Sequence, residues 1–193
     1  MSVRISTRRK NHFNLFREAE KLGSFDEFPM LRPEVDPQVH LSRNSVDQPF
    51  YLLCEKDTVI AQFSGRSRVV FQEGSVRYFD VEPGDFVYAP GGIAHRILTL
   101  EPGHVMRYKA RQPGQETVLW LCKSCGTELA RETWNADERL PQEAYQAACE
   151  QYNAQAASRK CRSCGTEHAQ VDLSAFRWSA VGEALSRTDD DDE

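Results

Sequence analysis

The fold can be read outward from one stretch: Gly84-Asp-Phe-Val-Tyr-Ala-Pro90-Gly-Gly92-Ile-Ala-His95. Pro83-Gly84-Asp85 has the chemistry of a turn, because proline presets φ and glycine accepts conformations other residues resist. The apolar run after it is short and β-prone. Pro90-Gly91-Gly92 turns the chain again, and His95 opens a returning strand, HRILTL. The same alternation continues on both sides. FYLLC from Phe50, DTVIAQF from Asp57, RVVFQ from Arg68, SVRYFDV from Ser75 and HVMRYKA from His104 are further strand candidates. Ser64-Gly65, Glu73-Gly74 and Pro102-Gly103 punctuate them. About seven short strands at roughly ten-residue spacing predict an antiparallel barrel or sandwich between Pro49 and Arg111.

The flanks read differently. His12 to Leu22 places Phe13, Phe16 and Ala19 at helical spacing, with Asn11 as cap and Gly23 as terminator. A turn-rich segment follows through Pro29, Pro33 and Pro37. Beyond Gln112 the character changes: TVLWLC is one more strand, Pro141 to Ala157 is a helix with Pro141 at its first position, and residues 174–186 form a short helix carrying Phe176 and Trp178. The expected division is a barrel with an N-terminal helix over 1–112, a tetracysteine module over 113–170, and a C-terminal extension over 171–193.

Composition narrows the function classes. At 193 residues, 40% hydrophobic and 27% charged, the chain can bury a real core, which excludes global disorder. No apolar run reaches the roughly 18 residues of a membrane span. MSVRISTRRK lacks the apolar stretch of a secretory signal, so a cytoplasmic location is expected. The net charge of −5 comes from an acidic tail, Asp189 to Glu193; without it, acids and bases balance at 24 each. A neutral body with an acidic, solvated tail argues against nucleic-acid binding.

Cys-Lys-Ser-Cys-Gly-Thr-Glu from Cys122 and Cys-Arg-Ser-Cys-Gly-Thr-Glu from Cys161 are the strongest chemical signal. Two residues between cysteines let both sulfurs face one ion. The following glycine allows backbone amides to approach the thiolates. Four thiolates from Cys122, Cys125, Cys161 and Cys164 make a closed tetrahedral site for Zn or for iron as in rubredoxin, with a structural role. Cys54 and Cys149 sit in apolar patterns and read as core residues.

The motif from Gly84 to His95 follows the second cupin motif, in which the histidine points into the barrel. The chain as a whole resembles bacterial-type 3-hydroxyanthranilate 3,4-dioxygenase, a cupin followed by a rubredoxin-like module. The resemblance runs from about Phe13 to Gly165 and includes FNLFREAEKL, PFYLL, the His95 motif and both cysteine knuckles in order. It implies a mainly β fold, a homodimer, and a non-haem iron dioxygenase in which a His–Glu–His set holds Fe(II) and arginines clamp the substrate carboxylate.

Carried over residue by residue, that pattern is broken. His95 matches the last ligand, but the ligating Glu falls on Gln48 and the first His on Ser42. The clamping arginines fall on Gln38 and Thr99, and an active-site Glu falls on Ala110. One imidazole, one amide and one hydroxyl hold ferrous iron poorly. A relocated set of His40, Asp47 and His95 is an alternative. Expected, then, is a divergent cupin enzyme with a lost or rebuilt iron site, acting on a small aromatic or amino-acid-derived compound. His95 is its candidate catalytic residue, and Gln38, Gln48 and Thr99 are its candidate substrate contacts. A non-catalytic ligand-binding or partner cupin and the unmodified ring-opening dioxygenase are the alternatives. Arg66, Arg68, Arg77, Arg96 and Arg107 lie on barrel segments, from which one or two could turn inward as anion clamps.

Overall fold

The computed structural model describes residues 12–189. Asn11, the basic arm before it and residues 190–193 of the acidic tail lie outside the described residues. The chain runs α1 (Leu15–Ala19), β1 (Phe28–Pro29), β2 (Gln38–Asn44), β3 (Tyr51–Cys54), β4 (Thr58–Gln62), β5 (Arg66–Phe71), β6 (Tyr78–Val81), β7 (Phe86–Ala89), β8 (His95–Glu101), β9 (Gly103–Lys109), β10 (Gln115–Leu121), β11 (Glu128–Asn135), α2 (Pro141–Ala154) and α3 (Trp178–Asp189), with two short 3-10 turns before α3. The first helix is shorter than its periodicity suggests. Its cap is Asn14, whose Oδ1 accepts from the Arg17 amide at 3.2 Å. Lys21 and Leu22 close tighter i→i−3 bonds and end it.

Two antiparallel sheets face each other as a barrel, one in the order β1-β2-β9-β4-β7 and the other β11-β10-β3-β8-β5-β6. The quoted motif builds one corner. β7 pairs with β4, and His95 lies opposite Leu52 on β3 and Phe71 on β5. Gly92 takes φ +79° between β7 and β8, a conformation a Cβ would strain.

Alternation decides what faces inward. On β9, Val105, Arg107 and Lys109 are buried in one phase, while Met106 is buried in the other, against Ala19, Leu22, Val39, Leu41, Val181 and Leu185. The main core gathers Phe50, Leu52, Ile60, Val69, Ile97 and Val118 with Trp120, Trp134, Tyr145, Tyr152 and Trp178. Phe50 and Phe71 turn inward, whereas Phe79 and Tyr88 are exposed on the edge strands β6 and β7.

The expected division at 112/113 does not separate two cores. β10 pairs with β3 of the barrel, β11 extends the same sheet, and Tyr145, Cys149 and Tyr152 of α2 belong to the barrel's core. The physical reason is burial: two strands and one amphipathic helix cannot cover their apolar faces alone. β2 and β11 were not read from the sequence. Both mix charged and apolar residues, because one face of β2 is polar and inside, and β11 is an edge.

Candidate functional site

Charge is built into the barrel interior. Arg107 and Lys109 point inward from β9, Glu116 from β10, and Glu27 enters from the segment before β1; each of the four is at most 3% exposed. An Arg107 Nη1 proton is donated to Glu27 Oε1. The Lys109 ammonium donates to Glu27 Oε2 at 3.1 Å and to Glu116 Oε1 at 2.9 Å. Tyr145 Oη donates to Glu27 Oε2 at 3.2 Å. Two carboxylates and two cations thus form a neutral chain. Burial alone would raise Glu27, but Arg107 and Lys109 outweigh it and hold the carboxyl at about 2.

The entry of Glu27 is anchored from all sides. Phe25 and Glu27 adopt φ +54° and +44°, left-handed backbone that costs roughly 1–3 kcal/mol per residue unless the surroundings enforce it. Asn44 Oδ1 accepts the Phe25 amide and Ser42 Oγ the Glu27 amide, each at 2.9 Å. Trp178 Nε1 donates to the Phe25 carbonyl at 2.8 Å. Gln142 Nε2 donates to the carbonyls of Asp26 and Glu27 at 2.8 and 3.0 Å. Helices α2 and α3 therefore pin this segment into the barrel mouth.

The positions onto which the sequence resemblance places iron ligands are engaged in this structure. Ser42 Oγ is the acceptor for the Glu27 amide. Gln48 Oε1 accepts from Arg107 Nη2 at 2.9 Å and from the Ile97 amide at 3.3 Å. His95 is 1% exposed; its Nδ1 lies 3.4 Å from the Ile93 carbonyl, and its Nε2 has no partner among the described residues. Burial, reinforced by the Arg107 charge, pushes His95 down to about 3, so the ring is neutral. A buried guanidinium and ammonium beside a single imidazole do not fit a dication, and the donor set lacks a free carboxylate.

The other predicted positions do not converge on one site. Gln38 Nε2 donates to the carbonyls of Arg32 and Val35 at 2.9 and 2.5 Å. Thr99 Oγ1 donates to the Val46 carbonyl at 2.7 Å, and its amide donates to Asp47 Oδ1 at 2.8 Å. The relocated set of His40, Asp47 and His95 is not assembled: among the described residues only the four cysteines bring three or more His, Cys, Asp or Glu ligand atoms together. Asp47 lines a cleft of about 440 Å³ between β3, β10 and the second knuckle, walled by Trp120, Tyr152 and Phe176 with Arg96. His40 lines a different cleft, of about 270 Å³. That smaller cleft opens beside the charge chain and is also lined by Glu27, Gln38, Lys109, Glu116 and Gln142.

The cysteines form a second, separate centre. Their four sulfurs lie within 4.8 Å of one another, with Cys122 and Cys164 3.6 Å apart and Cys125 and Cys161 3.5 Å apart. A tetrahedral ion with Zn–S bonds of about 2.3 Å requires S···S separations near ~3.8 Å, so the donors fit a metal ion. The two knuckles repeat each other bond for bond. Cys122 and Cys161 amides donate to Thr127 and Thr166 carbonyls at 2.8 Å, and Gly126 and Gly165 amides donate back at 2.9 Å. Both glycines take the left-handed turn, at φ +75° and +74°. Thr127 and Thr166 hydroxyls cross to Ser163 and Ser124, each at 3.1 Å. Hydrogen bonds from Thr166 lower the Cys164 thiol to about 6, whereas burial and the charge of Glu116 raise Cys54 to about 12.

Glu27, Lys109, Glu116 and Gln142 escaped sequence reasoning, and Arg107 was one of five arginines considered. Period-two burial on β9 was the available signal: Val105, Arg107 and Lys109 share a phase. Glu27 had none, because its position follows from left-handed backbone held by distant side chains.

No family model matches the chain, and no curated protein matches it. Solved structures give partial overlaps. A hydroquinone 1,2-dioxygenase in complex with Cd2+ and 4-hydroxybenzonitrile is 16% identical, with 49% of this chain and 69% of that chain covered and a TM-score of 0.43. A hydroquinone 1,2-dioxygenase in complex with Fe3+ is 12% identical, with 54% and 33% covered and a TM-score of 0.48. A cupin-2 domain protein from Shewanella frigidimarina is 17% identical, with 42% and 78% covered and a TM-score of 0.36. At these scores the overlaps say nothing about the chemistry of this chain. Among the described residues, no helix is long and apolar enough to cross a membrane.

Proposed function

We propose that this chain is a cupin derived from the aminophenol-dioxygenase scaffold that has given up its barrel iron and acts as a small-molecule binding protein. One observation carries the reading: Arg107 bonds both Gln48, the position of the ligating carboxylate, and Glu27, so a cation of the chain itself holds the place of the metal's charge. Ring opening of an aminophenol needs an open iron site that takes both substrate and O₂, whereas Gln48 Oε1 and Ser42 Oγ already accept hydrogen bonds from the chain itself. Altered chemistry with His95 as acid or base is weaker, because a ring held near about 3 has no proton to give at neutral pH and takes one up only weakly.

On this reading the tetrathiolate centre binds one Zn or Fe ion and is structural, tying β10 to the segment after α2. The protein is cytoplasmic and homodimeric, the latter checked by sedimentation. Metal analysis and an oxygen electrode test the whole proposal. One thiolate-held metal per chain and no oxygen uptake on 3-hydroxyanthranilate are expected. A second iron with nitrogen and oxygen ligands, accompanied by oxygen uptake, overturns it.

A further inference from the structure

The cleft of about 270 Å³ beside the charge chain carries hydrogen-bonding capacity that the protein leaves unused. Glu116 is fully buried; its Oε1 accepts from Lys109, and its Oε2 has no partner. Gln142 is 1% exposed, and its amide orientation is fixed, since Nε2 must face the two carbonyls to which it donates. Its Oε1 is therefore an acceptor, and it too has no partner. Lys109 directs two of its N–H groups to Glu27 and Glu116, and an ammonium has three. All three residues line the cleft.

Charge and shape narrow the ligand. The two carboxylates are already matched by Arg107 and Lys109, so a charged guest would unbalance the chain. Two idle acceptors and one idle donor suit a neutral group with N–H donors next to a carbonyl. Pro29, Pro33, Pro113, Leu140 and Leu185 supply apolar wall. The volume falls just under the roughly 300 Å³ at which pockets for drug-sized ligands begin, so one small ring or a short chain fills it.

We propose that this cleft binds a small neutral molecule through a primary carboxamide, with its NH₂ serving Glu116 or Gln142 and its carbonyl accepting from Lys109. This deepens the binding-protein reading and rests on it. The two fail separately: the metal count decides that reading, and the following experiment decides this one.

Benzamide and acetophenone, which differ only by NH₂ against CH₃, are titrated into the full-length metal-loaded protein, following the amides of Ala110, Ala136 and Asp137 by NMR. Benzamide is expected to shift these amides and to bind on the order of tenfold tighter than acetophenone, because the methyl group leaves a buried acceptor unpaired. In Glu116→Gln, one carboxylate oxygen becomes an NH₂ without change of shape, and the preference for benzamide is expected to shrink severalfold. Equal affinities in the wild type overturn the proposal. So does the lack of any benzamide shift up to about 10 mM, which would leave ordered water as the partner of both acceptors. The wild-type comparison decides the matter alone if the variant does not fold.

Discussion

The cysteine cluster and the barrel interior both gather polar side chains, and they differ in what those side chains are bonded to. In the cysteine centre, four sulfurs converge within 4.8 Å, and the surrounding amides and hydroxyls support that convergence. In the barrel, Ser42 and Gln48, onto which the sequence resemblance places iron ligands, already accept hydrogen bonds from Glu27, Arg107 and Ile97. A donor set is judged by its spare lone pairs as much as by its position. The knuckles keep theirs for an ion. The barrel interior is occupied by an ion-pair chain instead.

The contrast breaks most visibly if the metal is removed. Chelation, or Cys161→Ser, takes away a centre whose apparent binding energy is on the order of 10 kcal/mol or more in structural zinc sites. A fall in the thermal midpoint of at least about 10 °C is expected by calorimetry, with the sheet signal outlasting the knuckles. An unchanged midpoint would mean that the cysteines hold no structural ion.

The barrel side is tested next by Glu27→Ala. It leaves Arg107 and Lys109 facing one carboxylate between them, that of Glu116. A loss of about 3–5 kcal/mol in urea unfolding is expected, the range for breaking a buried pair from one side. A loss under about 1 kcal/mol would show that solvent reaches the chain and that the barrel is not closed.

Acid sharpens the same point. His95 sits near about 3 in the fold against 6.5 when unfolded, so between those values the unfolded chain holds a proton the folded one lacks. Stability therefore falls as pH drops below 6.5, by about 2 kcal/mol at pH 5. Glu27, near about 2 against 4.5, contributes stability above pH 4.5 that is lost as pH falls through that window towards 2. Urea titrations at pH 7 and 5 should show the first loss, and His95→Asn should remove most of it. If the variant keeps the full difference, the histidine is not the group responsible.

The smallest effect concerns a thiol outside the cage. Cys54 lies 3.6 Å from Glu116 Oε1 and is held protonated at about 12. Cys54→Ala should cost about 1 kcal/mol and leave the metal content unchanged. A drop in bound metal would place this residue in a centre to which nothing else connects it.

Much of this was legible beforehand. β3 to β10 coincide with the apolar runs that turn residues separate, and α2 begins at Pro141 as its N1 chemistry demands. Such signals are local: a strand's alternation and a helix's first turn depend on neighbours a few residues away. Composition changes near 112, whereas sheet pairing continues across it. Strand β10 sits between β3 and β11 in one sheet, and its residues from Glu116 to Trp120 are all buried.

The sequence by itself determined the strand punctuation and the paired CxxCG turns, since each is a matter of residue type at a fixed spacing. Only the tertiary structure decided what fills the barrel interior. Glu27 meets Arg107 across 80 positions and Tyr145 across 118, and no local pattern encodes pairings at that distance. They exist because closing the barrel buries four charges together, and charges removed from water must find one another.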